Sequence, residues 1–464
     1  MSLLDLLRPA AVPPVRQIFS REECQAIATR ALGMVRGPGS TRIGITSGWT
    51  GDARWSRNRL ALASDRREVK IIVNRRVGFA DVRVEATRTD DAGLAAAVEA
   101  AEALLRSQGY FGEERERLPP QSGTYPSPTL WSDRTTALTA DQRGAVAGEA
   151  MHPAEKAGLW SAGYVAVGAK VDSWFGSEGE ALYSARTTSQ CSVTTRDQGG
   201  RGSGWAGASS YDWAAIDPKA LAARARTKCE ASREPVAVEP GRYTVVLEPQ
   251  AVGDLLELIL NWLSRRPAEN GMGPFADPKR PGFSKLGQKV VDPRIDLSFD
   301  PADLALGVPP FDEAGEPMRA AKWIDQGVLT ALAYDREYAV ESLDENVALP
   351  YTRAVRMTGG ETPVEEMIAS TKRGLLVTRF SGNRELDGAS LLSTGYTRDG
   401  LWLIENGKIT KPVKNFRFTD SPIVMLNSLE ALGRPEPVFQ PAAPMIVPPL
   451  KARGFNFTRL VDAV

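Results

Sequence analysis

Residues 241–266, GRYTVVLEPQAVGDLLELILNWLSRR, constrain this chain more than any other stretch. The run Tyr243-Thr244-Val245-Val246-Leu247 is β-branched and aromatic, and it predicts a strand with little solvent on either face. Pro249 suits the first turn of a following helix, where its missing N–H has no intrahelical partner to lose. Beyond it, Ala251, Val252, Leu255, Leu256, Leu258, Ile259, Leu260, Trp262 and Leu263 put apolar side chains on nearly every face, so the helix is expected inside the protein. Enzymes often keep their chemistry at such a strand-to-helix junction. The junction here offers Pro249, Gln250 and Asp254. Proline has no side-chain donor atom, glutamine is not a base near neutral pH, and one aspartate cannot hold a catalytic zinc, which usually takes three protein ligands.

The rest of the chain supplies little to complete a metal site. It has one histidine, His152, and three cysteines, Cys24, Cys191 and Cys229, with no C-x-x-C or H-x-x-x-H spacing among them. Local sequence therefore writes no zinc site, and only an assembly of distant Cys, His and carboxylates stays open. Each cysteine reads as a small buried hydrophobe. His152 falls in the last turn of an expected helix, before Pro153. It reads as a general base or as a surface histidine near a helix end, and the lack of a nearby Ser, Cys or Asp partner favours the second. The 57 basic and 57 acidic side chains cancel, which argues against direct nucleic-acid binding. The cysteine count is low and odd, and the opening MSLLDLLRPAAVPPV has no charged segment ahead of an apolar core. No run approaches the roughly 18–20 apolar residues of a membrane span. The expectation is a soluble, cytoplasmic protein with no membrane partner.

In chain order, Ser20 with Glu23 makes a capping box for a helix through about residue 32. Residues 42–46, 57–62, 69–73 and 80–86 read as four short strands of a half-exposed antiparallel sheet, followed by a helix over about 91–107. Residues 113–134, EERERLPPQSGTYPSPTLWSDR, read as linker. A helix over about 141–156 and several strands between 161 and 195 come next. Residues 199–207, GGRGSGWAG, contain G-x-G-x-x-G at Gly202, Gly204 and Gly207, but no helix opens directly off the glycines and no βαβ series surrounds them. A tight turn is expected instead of a dinucleotide site, ahead of a helix over about 218–228. Residues 233–240 form a second short linker. Asp312 and Glu313 are candidates for an acid/base pair, yet neighbours on a strand point to opposite faces, which favours a turn role. A helix opens near Thr362 with Glu365 and Glu366 in its first turn, a hairpin turns at Asn406-Gly407, and a strand and a final helix complete residues 400–433. The expected fold class is α+β. An N-terminal domain, residues 1–234 with an internal linker at about 113–134, holds antiparallel strands flanked by helices; a C-terminal domain, residues 235–464, holds mostly antiparallel sheet with a central buried helix.

Taken together, several segments resemble the TldD/PmbA (TldE) family of metallopeptidases. They are Ala251-Val252-Gly253, G-x-x-V-x-D-P at Gly287, Val290, Asp292 and Pro293, and F-D-x-x-G-x-P with Asp312, Gly315 and Pro317. I-x-x-G-V-L at Ile324, Gly327, Val328 and Leu329 and I-E-N-G-K-I-x-x-P-V over residues 404–413 complete the set. Each is mild alone; their order and spacing are specific, and the likeness is strongest over residues 241–433. In the family's catalytic branch the junction reads H-E-A-V-G-H. Here it reads PQAVGD, so the resemblance puts Pro249 where the first zinc-binding His stands, Gln250 where the catalytic Glu stands and Asp254 where the second His stands. The C-terminal cysteine that completes that branch's metal site has no counterpart after Cys229.

The resemblance therefore implies a zinc-less, TldE-like subunit with no catalytic residue, cofactor or metal of its own. Zinc is expected on a TldD-like partner subunit, and the two would enclose and cut unfolded or small peptides held in extended form. Service in the maturation or degradation of ribosomal peptides rests on analogy alone. Two alternatives stay open. One is a homodimeric peptide-binding or regulatory protein without a peptidase partner, in line with the family's older description as a modulator of DNA gyrase. The other is a self-contained, non-metal hydrolase using Asp254 and Glu257, which share a helix face.

Overall fold

The computed structural model describes residues 18–78, 80–108, 125, 129–345, 347–440 and 443–461. The capping box starts α1 (Arg21–Met34): Glu23 N–H donates to Ser20 Oγ at 3.2 Å and Ser20 N–H to Glu23 Oε2 at 2.7 Å. The chain then forms β1 (Ser40–Ser56) and β2 (Arg59–Val77), joined through Arg57 and Asn58 at φ 51° and 58°, the left-handed pair of a tight hairpin turn. The four short strands expected over residues 42–86 are therefore three, two of them 17 and 19 residues long, and residues 57–62 contain the turn itself. Of the residues that signalled breaks, Gly48, Gly51 and Asp52 lie within β1, and Asp65 and Asn74 within β2. Gly51 makes room for the buried Arg143, whose Nη1 would lie 2.5 Å from a Cβ there.

β3 (Ala80–Ala86), α2 (Asp91–Gln108), α3 (Ala140–Lys156), β4 (Leu159–Gly176), β5 (Ala181–Asp197), β6 (Ser203–Ser210) and α4 (Pro218–Ala231) follow. The several strands expected between 161 and 195 are two long ones. All six strands make one antiparallel sheet in the order β3-β2-β1-β4-β5-β6. Segments before and after the expected linker thus share one sheet, while residues 113–124 and 126–128 of that linker lie outside the described residues. Along β1 the odd-numbered Ile43, Ile45, Ala53 and Trp55 are buried against α1, α2 and α3, and the alternate residues Thr46, Thr50, Asp52 and Arg54 belong to the opposite face. The tight turn expected over residues 199–207 forms at the start of that stretch, closed by Gly200 N–H to the Asp197 carbonyl at 2.9 Å, while Gly202, Gly204 and Gly207 lead into and occupy β6. Gly204 lets α4 cross closely, since a Cβ would sit 2.1 Å from the Ala225 carbonyl oxygen.

β7 (Gly241–Leu247) and α5 (Pro249–Leu260) form as expected. The remaining strands are β8 (Leu297–Phe299), β9 (Ala321–Asp325), β10 (Val328–Leu329), β11 (Val355–Met357), β12 (Arg373–Asp387), β13 (Leu392–Glu405), β14 (Lys408–Pro412), β15 (Phe416–Asp420), β16 (Leu429–Leu432), β17 (Glu436–Val438), β18 (Met445–Val447) and β19 (Leu450–Leu460). One sheet runs β10-β9-β8-β11-β18-β17. In the other, β12-β7-β19-β15-β13 close into a ring because β12 also pairs β13. Tyr243, Phe380, Phe416, Phe418, Phe455 and Phe457 from these strands pack ring against ring, and they share one apolar core with α5. Val252, Leu255, Leu256, Ile259 and Leu260 are each at most 2% exposed. Such burial stabilises by roughly 1.5–3 kcal/mol per side chain, which explains why this helix tolerates Gly253 in its middle. The final helix expected within residues 400–433 spans only Pro422–Asn427, and Leu429–Leu432 is a strand held by β19. The fold class is α+β. Among the described residues no helix is long and apolar enough to cross a membrane.

Candidate functional site

α5 starts at a fixed point. Glu248 N–H donates to the Val377 carbonyl at 3.0 Å, its carboxylate takes a 2.5 Å bond from Lys228 Nζ of α4, and Pro249 opens the first turn. One turn on, the two polar side chains meet. Gln250 Nε2 donates to Asp254 Oδ1 at 2.9 Å, and Asp254 Oδ2 accepts from the Phe380 N–H of β12 at 2.8 Å. Gln250 also holds the segment after β17: its Oε1 accepts from Phe439 N–H at 3.0 Å and its Nε2 donates to the Phe439 carbonyl at 3.4 Å. Asn383 Nδ2 donates to the Asp254 carbonyl at 2.9 Å.

Burial pushes the Asp254 carboxyl up from its usual 3.8 to about 6, against the pull of the Arg379 guanidinium and the two donors. Arg379 reaches this position through a bulge. β12 pairs Val377 with Leu401 and then Arg379 with Arg398, so Thr378 opposes Asp399 and Gly400 out of register. Asp399 is buried at φ 57°, accepts from Ser203 Oγ of β6 at 2.5 Å and lies 3.6 Å from Arg379 Nη1. The Arg379 guanidinium lies over the Trp205 ring, 4.3 Å from its centroid. Phe439 in turn contacts Trp205 and Tyr164 edge to face, at 5.7 and 6.1 Å between centroids.

The structure thus brings Gln250 and Asp254 together, with Pro249 beside them. Glu257, on the next turn, pairs with Arg353 at 3.8 Å and accepts from Gln440 Nε2 at 3.5 Å, and its charge adds to the rise of the Asp254 carboxyl. The structure does not bring in the remaining candidates. His152 is exposed on α3. Asp312 closes a turn, its Oδ1 accepting the N–H groups of Ala314 and Glu316 at 2.9 Å each, and Glu313 is exposed. The three cysteines are buried and unbridged, and burial raises all three thiols, Cys191 to about 12 and Cys229 to about 11. Sequence reasoning missed Arg379, Phe439, Trp205 and Tyr164. A faint signal existed: Arg379 interrupts the apolar run GLLVTRF, and Phe439 lies in PVFQP between two prolines.

The donor set does not fit a zinc ion. Pro249 offers no ligand atom, the Gln250 carboxamide is engaged on both sides, and Asp254 stands alone. Among the described residues no three His, Cys, Asp or Glu side chains are arranged to hold a metal.

Residues 240–459, which carry α5, the bulge and Phe439, match the PmbA/TldA metallopeptidase C-terminal domain. The C-terminal half of the chain is a domain of the TldD/PmbA family. Relatives in the family include a metalloprotease of Methanothermobacter thermautotrophicus, 23% identical over 203 residues, which covers 42% of this chain and 43% of that protein. A TldD homologue of Haemophilus influenzae, also called a metalloprotease, is 25% identical over 163 residues, 32% of this chain and 33% of that one. The matched stretch spans less than half the length of either relative. The fold is shared with TldE of Thermococcus kodakarensis at a TM-score of 0.80 and 15% identity, over 95% of this chain and all of that one. A Thermotoga maritima protein named as a candidate modulator of a DNA gyrase aligns at a TM-score of 0.81 and 15% identity, over 94% of this chain and all of that one.

Proposed function

We propose that this chain is a non-catalytic subunit of a TldD/TldE-type zinc metallopeptidase complex that encloses and cleaves unfolded or small peptides. The observation that carries the reading is the bonding at the junction. Where the catalytic branch has His, Glu and His, this chain has Pro249, Gln250 and Asp254, and the last two bond to each other and to the backbone of Phe380 and Phe439. That leaves one carboxylate, Asp254, where a catalytic zinc usually takes three protein ligands. A TldD-like partner would supply the zinc, the base and the electrophile.

A second feature supports a partner. β3 covers β2 only over Ile71–Val77, so residues 59–70 of β2 offer an edge with no neighbouring strand among the described residues, and Leu60 and Leu62 are half exposed on it. Such an edge is a ready ladder for another chain.

The test is to purify the chain from its native cells, weigh the intact complex and count its zinc. The expected result is a heteromer with a second subunit and about one zinc per pair. A zinc-free homodimer would overturn the reading in favour of an independent peptide-binding role. Peptide cleavage by the isolated, metal-stripped chain would overturn it in favour of a self-contained hydrolase.

A further inference from the structure

The contact between Gln250 and Phe439 has the form of peptide recognition. In an extended strand the N–H and C=O of one residue point to the same side, and neighbouring strands pair through such two-point contacts. The Gln250 carboxamide makes that contact alone, with Oε1 on the Phe439 N–H and Nε2 on the Phe439 carbonyl. It reads no side chain. The ring beyond the backbone is read separately, by Trp205 and Tyr164, and Gly207 makes the space: a Cβ there would lie 2.9 Å from the Phe439 ring.

The walls of this seat are fixed without its occupant. Trp205 Nε1 donates to Ser192 Oγ at 2.9 Å and Tyr164 Oη to Gln190 Oε1 at 3.3 Å, both within the six-stranded sheet, and Arg379 lies over Trp205. The occupant comes from a sheet edge: Phe439 is only partly buried and follows β17, a three-residue strand at the end of its sheet. Preformed walls around an extended edge segment are the arrangement in which one peptide can replace another.

We propose that this cleft is a subsite for an extended peptide bearing an aromatic residue, with Gln250 as its backbone clamp, and that Phe439 fills it from within until such a peptide displaces it. The inference rests on reading this chain as a peptide-handling subunit. It names the class of side chain that the non-catalytic half selects. The tethered Phe439 competes at high effective concentration, so the wild-type chain binds a short probe weakly.

The test uses the full chain without partner or zinc, so its outcome is separable from that of the complex. N-acetylphenylalanine N-methylamide, its alanine analogue and toluene are titrated against wild type, Phe439→Ala, and Phe439→Ala combined with Gln250→Ala. The phenylalanine probe should bind Phe439→Ala at least about tenfold tighter than wild type and than the alanine probe, as two edge-to-face contacts would give. Adding Gln250→Ala should abolish that gain while toluene binding stays. Equal binding with and without Gln250 would reduce the seat to a packing cavity and overturn the proposal, as would no binding by a folded Phe439→Ala. Should Phe439→Ala not fold, Phe439→Leu replaces it with a smaller gain of the same order across probes, and no gain there overturns the proposal as well.

Discussion

Asp254→Asn tests the electrostatics of the junction directly. The folded chain holds the Asp254 proton up to about pH 6 and the unfolded chain only to about 3.8, so between those values the folded state binds more protons. Stability from this group is therefore full below pH 3.8 and is lost as pH rises to about 6. At roughly 1.4 kcal/mol per pH unit, the parent loses about 3 kcal/mol across that window. Asparagine has no such window, but its amide must face one of two donors, Gln250 Nε2 or the Phe380 N–H, a pH-independent cost of about 1–3 kcal/mol. The variant should melt below the parent at pH 4 and close to it at pH 8. With roughly 2–4 °C per kcal/mol for a domain of this size, the gap in Tm should close by something like 6–12 °C. Scanning fluorimetry of both proteins at matched pH cancels the titrations they share. Parallel Tm curves from pH 4 to 8 would refute the reasoning, because they would mean that Asp254 ionises at its ordinary value in the fold.

Three further outcomes follow from the geometry. Restoring the catalytic spelling with Pro249→His, Gln250→Glu and Asp254→His should give no zinc-dependent peptidase, since no cysteine follows Cys229; peptide cleavage that chelation abolishes would contradict this. Gly51→Ala should destabilise by about 1–3 kcal/mol, because its Cβ would crowd the Arg143 guanidinium and its 2.7 Å pair with Asp65; a denaturant midpoint unchanged from the parent would count against it. The three thiols, buried and raised, should label slowly with a maleimide in the native chain and completely in denaturant; fast native labelling at Cys191 would contradict its burial.

What the sequence made legible was what is local. The apolar run of residues 243–260 wrote β7 and α5 correctly, and the Asn406-Gly407 turn and the Ser20 cap also stood where their residue types put them. The long hairpin was misread because Gly51 and Asp52 look like breaks until Arg143, Ser64 and Arg54 are seen to occupy the space and satisfy the charge. Leu429–Leu432 has a helical composition, and only its pairing with β19 makes it a strand. That Gln250 and Asp254 lie one turn apart was legible, and the structure joins them by a hydrogen bond. Their other partners were not legible. Phe439 lies 189 residues from Gln250, and Trp205 stands on another sheet, so no spacing rule connects them.

The ring β12-β7-β19-β15-β13 bears on how the chain is made. β19 sits between β7 and β15, and among the described residues no other strand pairs with both. On a ribosome, β7 emerges some two hundred residues before residues 450–460, so throughout that interval one side of it waits for a neighbour that does not yet exist. The six-stranded sheet, complete by residue 210, has no such delay. A chain stopped after Pro449 should thus keep its first sheet resistant to protease while everything after residue 240 is digested; uniform resistance would mean that the ring does not need its last strand.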